Sequence, residues 1–169
     1  MRDVMLDLES FGNGKYACIC QIGAAYFDLK TGEVGQTFKI NVKGEGEFDI
    51  DTVTWWLSQD KTAQESLLKK PRFDELTAMN MTNNFLSDAT KIWSHATFDF
   101  VVLTERFRQL KINPSFSYKS ARDIRTLVSL AEFTVNKVER TGTHHDALDD
   151  CLHQIKYCHE AYKKLFNLK

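Results

Sequence analysis

Residues 3–10, Asp3-Val4-Met5-Leu6-Asp7-Leu8-Glu9-Ser10, decide how the rest of the chain is read. As a β-strand the run alternates. Asp7 and Glu9 emerge together on one face, with Leu6 and Leu8 on the other. Two carboxylates side by side repel, so a cation must lie between them, one must stay protonated, or the strand must end in water. Taken alone, the pair is explained by a strand fraying into a solvated acidic turn. The acidic residues further along the chain argue for more.

The bulk properties narrow the classes. The chain has 169 residues, 43% hydrophobic and 27% charged, with a formal net charge of −1. That length is expected to form a single domain over residues 1–169 with a core that needs no staples. Near-neutral charge gives no global attraction to a polyanion, which argues against a coating or histone-like role; any polyanion site must be local or built by bound metal. No apolar run approaches the roughly 20 residues of a membrane span. Met1-Arg2-Asp3 leads straight into the strand rather than into a signal peptide. The expectation is a cytoplasmic protein, bacterial or in a phage-infected host, with no membrane partner. Cys18, Cys20, Cys151 and Cys158 sit among apolar neighbours as buried thiols. A zinc site combining them with His144, His145, His153 and His159 lacks knuckle spacing.

Outward from the first strand, Gly12-Asn13-Gly14-Lys15 reads as a turn, residues 17–29 as a second strand, Lys30-Thr31-Gly32-Glu33 as a hairpin turn and residues 34–42 as a third strand. Short turns make these three an antiparallel meander. From Asp49 the period becomes helical: Asp51 caps a short helix carrying Trp55 and Trp56, and helical patterns cover 60–69 and 72–87 with a break at Pro71. Lys91-Ile92-Trp93-Ser94 has the length of a buried strand, and His95-Ala96-Thr97 turns from it into a helix over 98–110. Residues 115–120 are open between loop and strand, and 123–132 read as helix. The last helix runs from near Asp146 to about Phe166, with Leu148, Cys151, Leu152, Ile155, Cys158, Tyr162 and Leu165 as its apolar stripe. A meander, a helical insert, then alternating strand and helix make an α/β domain around a mixed sheet flanked by helices.

Two further acidic positions sit where chemistry can use them. Asp99 lies in the first turn of its helix, directly after the short strand; the bland account is that it complements the helix dipole. The segment Thr141-Gly142-Thr143-His144-His145-Asp146-Ala147-Leu148-Asp149-Asp150 leads into the last helix. If Asp146 caps that helix, His145 precedes it on a flexible approach, free to reach into a site. Helical phase puts Asp149 on the polar stripe of His153, Lys156, Glu160 and Lys163, and Asp150 at the apolar edge beside Ala147 and Gln154. Asp149 is therefore read as solvated and Asp150 as interior.

The pattern Asp7-x-Glu9, Thr97-Phe98-Asp99 and His145-x-Ala147-x-x-Asp150 resembles the DEDDh (DnaQ-like) branch of the 3′–5′ exonuclease superfamily, over residues 3–155. Within it, Thr54-Trp55-Trp56 and Arg122-Asp123-Ile124-Arg125-Thr126 are similar to small phage-type and related bacterial 3′–5′ exonucleases. Ser10-Phe11-Gly12 departs from the commoner proofreading pattern after the second acid. The resemblance implies an RNase H-like fold and two Mg²⁺ or Mn²⁺ ions, with Asp7 bridging both, Glu9 and Asp150 completing one shell, and Asp99 holding the other ion largely through water. His145 would be the general base, His144 being excluded by the motif's spacing. It also implies release of nucleoside 5′-monophosphates from a single-stranded 3′ end, DNA before RNA on the phage-type features, and a possible homodimer.

The remaining candidates concern grip. Adjacent helical residues point about 100° apart, so one of Trp55 and Trp56 is core and the other is free to stack on a base. Phe11 and Ser10 adjoin the acidic strand. Lys119, Arg122 and Arg125 form a basic run able to meet phosphates or to pair with Asp123, itself read as a helix cap or orienting group. An exoribonuclease, a non-catalytic nucleic-acid-binding module and a zinc hydrolase are the rival readings.

Overall fold

The computed structural model describes residues 1–167. Its centre is a six-stranded mixed sheet whose strands lie in the spatial order 72–74, 34–43, 19–27, 3–10, 91–94 and 121–123. Strands β1 (Asp3–Ser10), β2 (Ile19–Phe27) and β3 (Val34–Lys43) form the antiparallel meander. β5 (Lys91–Ser94) runs parallel to β1, and β6 (Ala121–Asp123) parallel to β5. β4 (Arg72–Asp74) lies parallel to the outer edge of β3.

Several boundaries differ from those read in the sequence, each for a local reason. The helical pattern over 72–87 begins with β4, because Arg72, Phe73 and Asp74 pair with Asn41, Val42 and Lys43. Asp74 then caps α3 (Glu75–Phe85), accepting from Thr77 N at 2.9 Å. The same strand-then-cap arrangement recurs at β6, where Asp123 accepts from Thr126 N at 2.8 Å and starts α5 (Ile124–Leu130). Asp49, not Asp51, caps α1 (Ile50–Leu57), its carboxylate accepting from Thr52 N at 2.8 Å. α2 spans Lys61–Leu68 and α4 spans Asp99–Gln109. The ambiguous stretch before β6 is a single 3₁₀ turn, Tyr118–Ser120.

Alternation along β1 sorts the two helical layers. Val4, Leu6 and Leu8 pack against Met79 of α3 and Phe100, Leu103 and Phe107 of α4. Met5 faces the other way with Ala25 and Phe27, against Ile124 and Leu127 of α5 and Cys151, Ile155 and Cys158 of α6 (Ala147–Leu165). Fully burying an aliphatic side chain contributes about 1.5–3 kcal/mol, so Met5 and Leu6, both at 0% exposure, hold the central strand from opposite sides. Asp7 and Glu9 continue the Met5 face and meet the start of α6. The buried side of α6 runs through Ala147, Cys151, Gln154, Ile155, Tyr157, Cys158 and Ala161, whereas Leu165, assigned to the apolar stripe from sequence, is exposed. All four cysteines are buried free thiols. Among the described residues no helix is long and apolar enough to cross a membrane.

Candidate active site

One glycine sets how close α6 comes to the acidic strand. Gly23 of β2 pairs with Asp7, and a β-carbon built there would lie 2.3 Å from the carbonyl carbon and oxygen of Ala147. The first turn of α6 therefore rests directly on the sheet. Gln21, opposite Glu9 and fully buried, accepts from Ala147 N at 2.7 Å. Asp146 caps the helix and binds Lys39 of β3 and Ser66 of α2. Helix, sheet and α2 thus converge on the backbone between His145 and Asp150.

Asp99 arrives from the opposite layer. β5 pairs only with Asp3, Val4 and Met5 of β1, so beyond it Leu8 N points past the end of the short strand. Asp99 Oδ1 accepts that N–H at 3.3 Å, while Oδ2 accepts from His95 N at 2.9 Å. These bonds, made at 2% exposure, go beyond complementing a helix dipole.

A cavity of about 310 Å³ is lined by Asp7, Glu9, Asp99, His145 and Asp150 together. Asp7 and Glu9 are each only 7% exposed. One oxygen each of Asp7 and Asp99 and a ring nitrogen of His95 lie within 4.8 Å of one another, and so do single donor atoms of Glu9, His145 and Asp150. Burial pushes the Asp7 carboxyl well above the usual range, and the charges of Asp99, Glu9 and Asp150 add to the effect. Burial, then Asp150, raises Glu9 in the same way. Burial raises Asp99 to about 7 against the pull of its backbone donors. Carboxyls this crowded resist ionisation unless positive charge is brought in, and hard oxygen donors in such a set fit divalent cations of the Mg²⁺ or Mn²⁺ kind. The donor set therefore fits the metal ions that the resemblance implies.

His145 is not loosely poised, as its glycine-containing approach suggested. Its backbone adopts φ 62°. Its ring packs edge-on against Trp55 at 4.7 Å and stacks on His144 at 3.8 Å. Burial, with His144 next in effect, lowers its pKa below 6.5. The loop is clasped from behind by Asp149, whose Oδ2 accepts from Thr143 N at 2.7 Å. Reading Asp149 as a merely solvated residue is thus corrected: phase turned it from the cavity, and the folded-back loop supplied it with a partner.

The grip candidates separate. Trp56 is core, 4% exposed, and its Nε1 donates to Ser10 O at 2.8 Å; Trp55 is 43% exposed. Phe11 stacks on exposed Phe48, ring centroids 5.5 Å apart. Ser10 is buried and its hydroxyl donates to Gly12 O at 2.7 Å, which occupies it in the turn. Arg122 is absent from the cavity wall: its guanidinium donates to Lys119 O at 2.8 Å and Ala121 O at 2.7 Å. Arg125 donates to Thr97 at 2.9 Å and Asp123 accepts from Ala96 N at 3.1 Å, so both brace the turn before α4.

Three polar partners of the motif acids on the cavity wall were not assigned to the site from the sequence. Gln154 donates to Asp7 Oδ1 at 2.6 Å, Arg140 binds Asp150, and His95 faces Asp99. Gln154 and His95 carried a usable signal, since each lies four positions from a motif acid, Asp150 and Asp99 respectively.

The sequence model of the 3′–5′ exoribonuclease Rv2179c-like domain matches residues 2–162. No curated protein sequence matches the chain. Among solved structures, Escherichia coli exonuclease I in complex with a dT13 oligonucleotide superposes with a TM-score of 0.73 at 16% identity, over 98% of this chain and 42% of that one. Schizosaccharomyces pombe Pop2p, in its Mg²⁺- and Mn²⁺-bound form, gives 0.66 at 15% identity over 99% and 85%. Exonuclease I from Methylocaldum szegediense gives 0.67 at 16% identity over 98% and 42%. The chain spans about two fifths of the exonuclease I chains, and at these identities the likeness is one of fold, that of RNase H-like exonucleases. By the family match across nearly all its length, the chain belongs to the Rv2179c-like 3′–5′ exoribonuclease domain family.

Proposed function

We propose that the protein removes nucleoside 5′-monophosphates from the 3′ end of single-stranded RNA with Mg²⁺ or Mn²⁺ as cofactor. The observation that carries this reading is the convergence of Asp7, Glu9, Asp99, Asp150 and His145 on one cavity. The four carboxylates would hold the ions. When bound, these supply Lewis acidity at the scissile phosphate and lower the pKa of water. His145, kept neutral by its depressed pKa, takes the proton of the attacking water. Water oxygen bonds to phosphorus as the P–O3′ bond breaks; the departing 3′-oxygen takes a proton from solvent, and His145 returns its own. Trp55 beside His145, and Phe48 stacked on half-buried Phe11, offer exposed aromatic faces for bases, a contact worth roughly 1–3 kcal/mol each and tolerant of sequence. Grip of this kind suits a protein with a net charge of −1.

The family description supports RNA over the DNA favoured from phage-type features. Single-stranded DNA is the second reading, supported by the dT13 oligonucleotide carried by the structurally similar exonuclease I. Matched 5′-labelled RNA and DNA oligonucleotides decide between them. The expected result is a ladder shortening from the 3′ end of RNA with release of 5′-monophosphates, silenced by Asp7→Asn. Faster degradation of DNA reverses the order, and degradation unaffected by D7N refutes the site.

A further inference from the structure

The turn from β5 into α4 carries a side chain that the family motif does not account for. His95 precedes Asp99 by one helical turn, and its Nδ1 stands 3.9 Å from Asp99 Oδ2, beyond hydrogen-bond distance but on the same side as the carboxylate. A ring nitrogen of His95 and one oxygen each of Asp7 and Asp99 form a triad in which all separations are within 4.8 Å. Donors about 2.0–2.3 Å from a shared ion stand no more than roughly 4–4.6 Å apart, so small rotamer adjustments close this triad on a cation.

The backbone that presents His95 is braced from three directions. His95 N donates to Asp99 Oδ2 at 2.9 Å, Ala96 N to Asp123 Oδ2 at 3.1 Å, and Arg125 Nη2 to Thr97 Oγ1 at 2.9 Å. Phe98 N and Asp99 N close the turn on the His95 carbonyl at 2.8 and 3.0 Å. His145, the other histidine among grouped donors, differs: its ring is packed against Trp55, Trp56 and His144. His95 thus stands on a braced backbone with its ring turned to Asp99, whereas the His145 ring is engaged by its aromatic neighbours.

Resting on the metal-dependent reading above, we infer that His95 is a nitrogen ligand to the ion held between Asp7 and Asp99, and that it biases this position toward a first-row transition ion such as Mn²⁺ over Mg²⁺. Mg²⁺ demands near-octahedral oxygen coordination and dehydrates reluctantly, whereas imidazole is a donor for the transition series. Replacing one oxygen by nitrogen therefore costs Mg²⁺ more than it costs Mn²⁺.

The test uses the full chain and Mn²⁺ itself, read by electron paramagnetic resonance, with Mg²⁺ as competitor. In the wild type, pulsed spectra are expected to show a directly coordinated ¹⁴N. His95→Asn, which puts oxygen where Nδ1 stood, is expected to abolish that coupling and to weaken Mn²⁺ binding about tenfold or more while Mg²⁺ changes far less. His145→Asn is expected to keep the coupling. His95→Ala, at a partly exposed position, gives a second variant whose fold is checked by circular dichroism. Persistence of the ¹⁴N coupling in H95N, or its loss in H145N, overturns the assignment and leaves the carboxylate site standing. A wild-type protein that binds neither ion overturns the metal-dependent reading together with this inference.

Discussion

Gly23 and Ala147 are in contact through their backbones: the space a β-carbon would need on Gly23 is occupied by the Ala147 carbonyl group, 2.3 Å away. Because Gly23 pairs with Asp7, this contact sets the separation between the acidic strand and the helix that carries Asp150. Gly23→Ala must push the start of α6 outward. Overpacking of this kind costs about 1–3 kcal/mol, and a displacement near 1 Å at a reacting centre costs on the order of 10²-fold in rate. The expected outcome is a folded protein with a lowered melting temperature and a kcat reduced far more than its stability. Wild-type turnover in G23A would show that α6 is not positioned by this contact.

Gln154 holds Asp7 by a 2.6 Å hydrogen bond, while its own Oε1 is buried without a partner among the described residues. Gln154→Leu keeps the volume and removes the donor. Losing an outer hydrogen bond to a metal-binding carboxylate is expected to cost about 10–100-fold in metal affinity or activity. Kinetics and Mn²⁺ titration should show the loss in kcat and in the metal concentration for half-maximal rate, with KM for the oligonucleotide little changed. A change confined to KM would instead place Gln154 at the substrate.

The acid cluster makes metal-free stability depend on pH in a definite direction. Asp99, raised to about 7, holds its proton more tightly folded than unfolded. Its favourable contribution is therefore complete below the ordinary value of 3.8 and is lost as pH rises through about 7. In EDTA, Asp99→Asn should melt higher than wild type at pH 8 and match it near pH 4. Divalent metal at pH 8 should stabilise the wild type more than the variant. Parallel melting curves for the two proteins across this range would refute the account.

His145 has its pKa depressed below 6.5, first by burial and then by His144. A general base must be unprotonated, so kcat/KM is expected to rise with pH along a limb whose midpoint lies below 6.5, and bound cations push it lower still. His145→Gln should cost about 10²–10⁴-fold and erase that limb. An unchanged pH profile in the variant would assign the limb to another group.

Much of this was legible in one dimension. The period of two in residues 3–10 sorted Leu6 and Leu8 from Asp7 and Glu9, and the two core clusters fall on those two sides. Helical phase separated Asp150 from Asp149, and Asp150 lines the cavity. β4 and β6 were not legible, because three residues show no period; Arg72–Asp74 and Ala121–Asp123 are strands only because β3 and β5 offer them an edge. Arg122 looked available for phosphate and is bound to nearby carbonyls instead.

By itself the sequence determined which residues face which way within each element and which of them start helices, since strand alternation, helical phase and capping act over two to four neighbouring positions. It thereby named the acids and the histidine of the motif. Only the tertiary structure decided how near they come and who attends them. The approach of α6 depends on a missing β-carbon at Gly23, 124 positions before Ala147, and Gln154 and His95 come to Asp7 from distant parts of the chain. Contacts of that kind are set by packing and by the need to satisfy buried charge, and these forces act between elements after each has formed.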